Sequence, residues 1–230
     1  MLNYIYLIAS VALGSLIAAM IRNPKTAPVK MLLTFSGAYL LSIGVFHLIP
    51  EIYSEGNGEI GLFIMGGFFL QLILEFFSKG VEHGHSHMEM FRNKGIPLSI
   101  IASLYLHALL ESLPVGAHAG HDDHTLLWAI VIHKVPVSLI LYVMVGEVFK
   151  HTWKILLFML GFALVAPLGV FMGENLQFLA NYNREITALV LGIFLHISTT
   201  ILFESTQSHR FNFAKLFITL VAVLLAWLSI

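Results

Sequence analysis

The 230 residues carry 12 Lys plus Arg against 13 Asp plus Glu, with 58% hydrophobic side chains, 11% charged and no Cys. A net charge of −1 supplies no basic field for nucleic acid, and the lack of thiols excludes a disulfide framework and a thiolate metal site. So much apolar surface with so few charges also excludes a water-soluble domain, leaving an integral membrane protein in which any metal is held by His and carboxylate.

Crossing roughly 30 Å of hydrocarbon takes about 20 apolar residues. Eight runs of that kind follow one another, at 4–21, 31–50, 60–77, 97–117, 126–148, 152–172, 186–203 and 213–230. A single all-α domain of eight transmembrane helices is therefore expected over 1–230, its longest loop at about 78–96. The first run lacks a basic leader and ends at Arg22 and Lys25, the pattern of a retained helix rather than a cleaved signal. Gly66, Gly67, Gly161, Gly192 and the Gly169/Gly173 pair permit close helix contact. Pro114, Pro136 and Pro167 each remove a backbone donor inside a run, which predicts broken helices near the midplane, where transporters place ion sites.

Basic residues set the orientation. Arg22, Lys25 and Lys30, then Lys79, Arg92 and Lys94, then Lys150 and Lys154, then Arg210 and Lys215 fall at alternate connections, which makes those cytoplasmic. Glu51, Glu55, Glu59, Asp122, Asp123, Glu174 and Glu185 mark the opposite face, with Arg184 its lone basic residue. Both termini are then expected outside, in a plasma or inner cell membrane.

Ionisable side chains at membrane depth are costly and mark functional sites. His107 and Glu111, four apart in the fourth run, project from one helix face and form a two-ligand half-site. Ser103, Pro114 and His118 extend that stripe toward the outer mouth. The fifth run adds His133 at comparable depth, and the short loop between the runs makes the two helices antiparallel neighbours. Two imidazoles and a carboxylate suit zinc and its neighbours. Two loop clusters add weak metal affinity: Glu82, His83, His85, His87 and Glu89 on the cytoplasmic side, and His118, His121, Asp122, Asp123 and His124 outside.

These residues resemble the motifs of the ZIP family of zinc and iron permeases. His47-Leu-Ile-Pro-Glu51 is similar to its second-helix HLxPE, His107-Ala-Leu-Leu-Glu111-Ser to its fourth-helix HNxPEG, and His133-Lys-Val-Pro136 to its fifth-helix HExPxE. Ala166-Pro-Leu-Gly169 and Gly192-Ile-Phe-Leu resemble its sixth and seventh helices. The resemblance implies a three-plus-two-plus-three helix plan with an inverted repeat, inward movement of divalent cations, and a first metal site of His107, Glu111 and His133. It departs at the family's second site, where Ala108, Lys134 and Val137 replace ligands. One transported ion is therefore expected instead of two.

Lys134 conflicts with a dication beside it: ammonium and M²⁺ about 4 Å apart repel by roughly 8 kcal/mol at an effective dielectric near 20. Three resolutions are open: Lys134 points away, it deprotonates on burial, or its ammonium pairs with Glu111 when the ion has left. The last fits best. The expected function is admission of Zn²⁺, or of Fe²⁺, Mn²⁺ or Cd²⁺, without a prosthetic group. His47, Glu51, Glu75, His196 and Glu204 are candidate pathway residues. With no P-loop in the sequence, the membrane potential would drive the ion, supplying about 4.6 kcal/mol per dication per 100 mV. The expected partners are the ion and the lipid bilayer, with a homodimer left open. The rival readings are a non-transporting metal sensor and an intramembrane zinc hydrolase; the hydrolase lacks a second acid at the depth of Glu111.

Overall fold

The computed structural model describes residues 1–21, 27–54, 58–83, 95–117, 124–204 and 213–230, and among these all regular structure is helical. In lipid each backbone N–H must find its acceptor within its own segment, so apolar runs of this length close into helices. They are α1 (Leu2–Met20), α2 (Ala27–Ile43), α3 (Ile49–Tyr53), α4 (Ile60–Ser78), α5 (Leu98–Ala117), α6 (Thr125–Val148), α7 (Thr152–Asn175), α8 (Gln177–Asn181), α9 (Asn183–Glu204) and α10 (Phe213–Leu228). Seven spans among the described residues are long and apolar enough to cross a membrane, with α2 and α3 acting as one. The eighth, α10, has 16 helical residues, a rise of about 24 Å, less than the hydrocarbon thickness.

The surface is inverted relative to a protein in water. On α7, Leu157, Leu160, Leu164, Leu168 and Phe171 are exposed, while Phe162, Ala163, Ala166 and Val170 are buried. The buried polar set, meanwhile, includes Ser103, His107, Glu111, Ser112, His133, Lys134 and Ser138 on α5 and α6. Apolar outside and polar within is the pattern of a multi-pass membrane protein. Tyr4 donates to Glu174 (2.5 Å) and Arg184 to the Ile52 carbonyl (2.7 Å). The start of α1, the end of α3, the end of α7 and the start of α9 therefore share one end of the bundle, as alternating crossings require.

The prolines correct one expectation. Pro114, Pro136 and Pro167 lie inside unbroken α5, α6 and α7. Packed neighbours hold these helices in register, because unpaired backbone groups in lipid cost several kcal/mol. The irregular turn lies instead between α2 and α3. Gly44–Leu48 is π-helical, and the Ile49 N–H reaches back five residues to the Gly44 carbonyl. Pro50 follows directly and has no N–H with which to continue the ordinary ladder.

Four helix pairs pack most extensively: α4 with α9, α5 with α7, α1 with α6, and α2 with α10. Between apolar helices in lipid the gain comes from close approach, which small residues allow. A Cβ on Gly67 would lie 1.8 Å from the Leu189 carbonyl oxygen, and one on Gly192 would lie 1.9 Å from that of Ile64. Gly66 meets nothing within 4 Å, so it is not a packing glycine. Gly67→Val should therefore destabilise the protein by about 1–3 kcal/mol through forced separation of α4 and α9. Gly66→Val should stay within about 0.5 kcal/mol of the parent. Unfolding of both variants in the same detergent checks the contrast.

Candidate metal centre

On α5, His107 and Glu111 stand one turn apart and are 3% and 1% exposed; on α6, His133 is 1% exposed. One ligand atom from each lies within 4.8 Å of the other two. The His107 Nε2 to Glu111 Oε2 distance is 3.4 Å. That matches the edge of a tetrahedron around an ion with bonds of 2.0–2.2 Å, about 3.3–3.6 Å. The two imidazoles meet nearly perpendicularly, at 85° with centroids 6.3 Å apart. The three predicted ligands therefore converge, and small side-chain rotations would close them on one ion. This is the sole such group among the described residues. Ala108 and Val137, on the same two helices, are buried and offer no ligand atom.

A fourth residue, not foreseen from the sequence, fixes the first imidazole. Gln71 on α4 is fully buried, and its Oε1 lies 3.1 Å from His107 Nδ1. With Nδ1–H donating to this oxygen, the lone pair of Nε2 is left toward Glu111 and the ion position, as an outer partner does for a metal-bound imidazole. The signal was present in the chain: Gln71 is the one polar side chain between Gly67 and Glu75, and a polar residue in a spanning helix usually bonds across to another.

Lys134 completes the centre. It is 1% exposed, with Nζ 2.5 Å from Glu111 Oε1 and 5.3 Å from the centre of the Phe162 ring. The two charges cancel, which is how an apolar bundle tolerates either. The ammonium therefore points to the carboxylate and not away from it.

The other predicted residues fall elsewhere. The Ser103 hydroxyl donates to the Leu74 carbonyl (2.6 Å), tying α5 to α4 and lining no free track. His196 Nε2 meets Glu75 Oε2 at 2.5 Å, with Phe68 edge-on to the imidazole at 4.9 Å, so this His bridges α9 to α4 and does not join the three ligands. His47 and Glu51 form their own pair at 3.8 Å. His124 is exposed at the start of α6. Glu82, expected in the loop cluster, is instead fully buried in the 3-10 turn Val81–His83 and accepts a hydrogen bond from Ser78 (2.6 Å). His85, His87, His118, His121, Asp122 and Asp123, with the side chains of His83 and Glu204, lie outside the described residues.

Two measurements probe the centre. Gln71→Leu should weaken metal binding about 10- to 100-fold, as loss of an outer partner to a ligating His does, whereas Gln71→Glu, which keeps an acceptor, should recover most of it; titration calorimetry reads both. Removing one member of the ion pair by Glu111→Leu should cost about 3–5 kcal/mol of stability, and adding Lys134→Met to it should restore most of that, as a double-mutant unfolding cycle will record.

No protein-family model matches this chain, and no curated protein matches it significantly.

Proposed function

We propose that this protein is a ZIP-like carrier that moves one divalent transition-metal ion, of the zinc class, across the membrane and into the cytoplasm. The observation that carries the reading is the buried set of His107, Glu111 and His133 shared by two antiparallel helices of a multi-pass bundle. A dication entering there exchanges water for two imidazoles and a carboxylate, a ligand set suited to zinc and its neighbours.

An internal correspondence supports the inverted plan that the resemblance implies. Ser112 follows His107 by five residues, as Ser138 follows His133. Gly169 of α7 presses on Ser112 Oγ and the Leu109 carbonyl; Gly14 of α1 presses on Ser138 Oγ and the Val135 carbonyl. The contact of α5 with α7 thus repeats, at equivalent positions, in that of α6 with α1, while α4 with α9 has its counterpart in α10 with α2. Such repeats place a midplane site at the pseudo-two-fold axis and let one bundle move against the other.

Uptake by reconstituted vesicles across a panel of divalent ions tests the proposal. The parent chain should accumulate Zn²⁺ above protein-free vesicles, and His107→Ala should lose about 90% or more of that rate, since losing even an outer partner of a ligand costs about 10- to 100-fold. Tight binding without accumulation would instead favour a sensor, and release of a hydrolysis product would favour an enzyme.

A further inference from the structure

We infer that Lys134 is the selectivity element of this site: by holding its only carboxylate, the ammonium admits ions that imidazole binds well and turns away hard ions that need oxygen. The inference deepens the carrier reading and rests on metal binding at the same three ligands.

The three donors offer different things. Mg²⁺ and Ca²⁺ bind through six or more oxygens and gain little from imidazole. Here they would find a single carboxylate, and its Oε1 is already engaged at 2.5 Å by Lys134. To bind, a hard ion must shed water, displace a cation from a buried pair and accept two nitrogens in return. Zn²⁺, Cu²⁺ and Ni²⁺ bind imidazole strongly, so they can engage His107 and His133 first and contest the carboxylate afterwards. Competition for Glu111 therefore weighs most on hard ions, whose binding depends on that oxygen, and least on borderline ions, whose binding rests on the two imidazoles.

The ammonium also has a second partner beside the carboxylate. Phe162 on α7 is 2% exposed, and its ring centre lies 5.3 Å from Nζ, within the range of a cation–π contact. That contact is made alongside the ion pair, so a metal that takes the acid leaves the ammonium one partner within the bundle. The α6 sequence agrees with this division of labour. Relative to each His, α5 places Ala108 and Glu111 where α6 places Lys134 and Val137, so one half-site supplies the anion and the other its stand-in cation.

The test uses the full-length chain, both in detergent for calorimetric binding and in vesicles for uptake. It compares the parent with Lys134→Met, Lys134→Gln and Lys134→Arg against Zn²⁺, Mn²⁺, Mg²⁺ and Ca²⁺. Lys134→Met should bind Zn²⁺ about tenfold more tightly, and its preference for Zn²⁺ over Mn²⁺ and Ca²⁺ should fall about tenfold as oxygen becomes available to hard ions. Lys134→Gln should shift in the same direction, and it decides the question if Lys134→Met does not yield a monodisperse protein. Lys134→Arg should keep the parental ranking. A neutral variant that retains the parental ranking, or an Arg variant that loses it, overturns the inference. A parent that binds Zn²⁺ without accumulating it defeats the carrier reading alone, and the calorimetric ranking still decides the role of Lys134. A parent that binds none of the four ions defeats both.

Discussion

A carboxylate in the middle of an apolar bundle must have a positive partner, and much of the architecture around Glu111 satisfies that demand. The acid comes from α5 and the ammonium from α6, so the charge balance exists only when these helices stand at the right separation and rotation. Two imidazoles share the enclosure. Hydrocarbon penalises any loosening, because parting the ions would leave each unsolvated. The interaction therefore contributes less to net stability than to registering α5 against α6.

Direct packing between α5 and α6 is slight compared with the grip of α7 on α5 and of α1 on α6. Glycine backbones produce that grip. Gly169 and Gly14 approach the carbonyls two residues beyond His107 and His133, respectively. Each ligand helix is thus clamped from behind at the level of its own imidazole, which leaves the space between the two helices for side chains. The group of His107, Glu111 and His133 is thus held in place from the outer faces of its two helices. Gln71 adds a third anchor from α4, with its Oε1 3.1 Å from His107 Nδ1.

Much of this was legible in the chain. All eight apolar runs became helices near their expected places, because lipid leaves the backbone few alternatives. His107, Glu111 and His133 were recognisable because ionisable groups are rare at that depth, and helical spacing puts the first two on one face. What escaped depended on cross-helix geometry. Gln71 is a lone polar residue within its apolar run, and no spacing rule says which neighbour a residue meets across a bundle. Ser103 shares the stripe of His107 and yet turns to Leu74, because a hydroxyl takes the nearest free carbonyl. His196 and Glu75, widely separated in sequence, found each other. Glu82 sits in a hydrophilic stretch whose histidines suggest a weak metal-binding loop, yet it is buried, with the left-handed Lys79 (φ 60°) and Gly80 (φ 71°) just before it. The prolines misled because a missing donor bends a helix only if the surroundings give way.

The wide turn at Gly44–Leu48 has a bearing on kinship. Each residue of an ordinary α-helix advances the azimuth by about 100°, and a π turn absorbs one extra residue without advancing the face by that amount. Pro50 to Tyr53 therefore point where a chain shorter by one residue would aim them with an uninterrupted helix. Two such chains could share a spatial layout while their residues fell out of step by one beyond Leu48. An ancestor's insertion or deletion at this point would thus be absorbed locally, leaving the helix's outer end pointing as before.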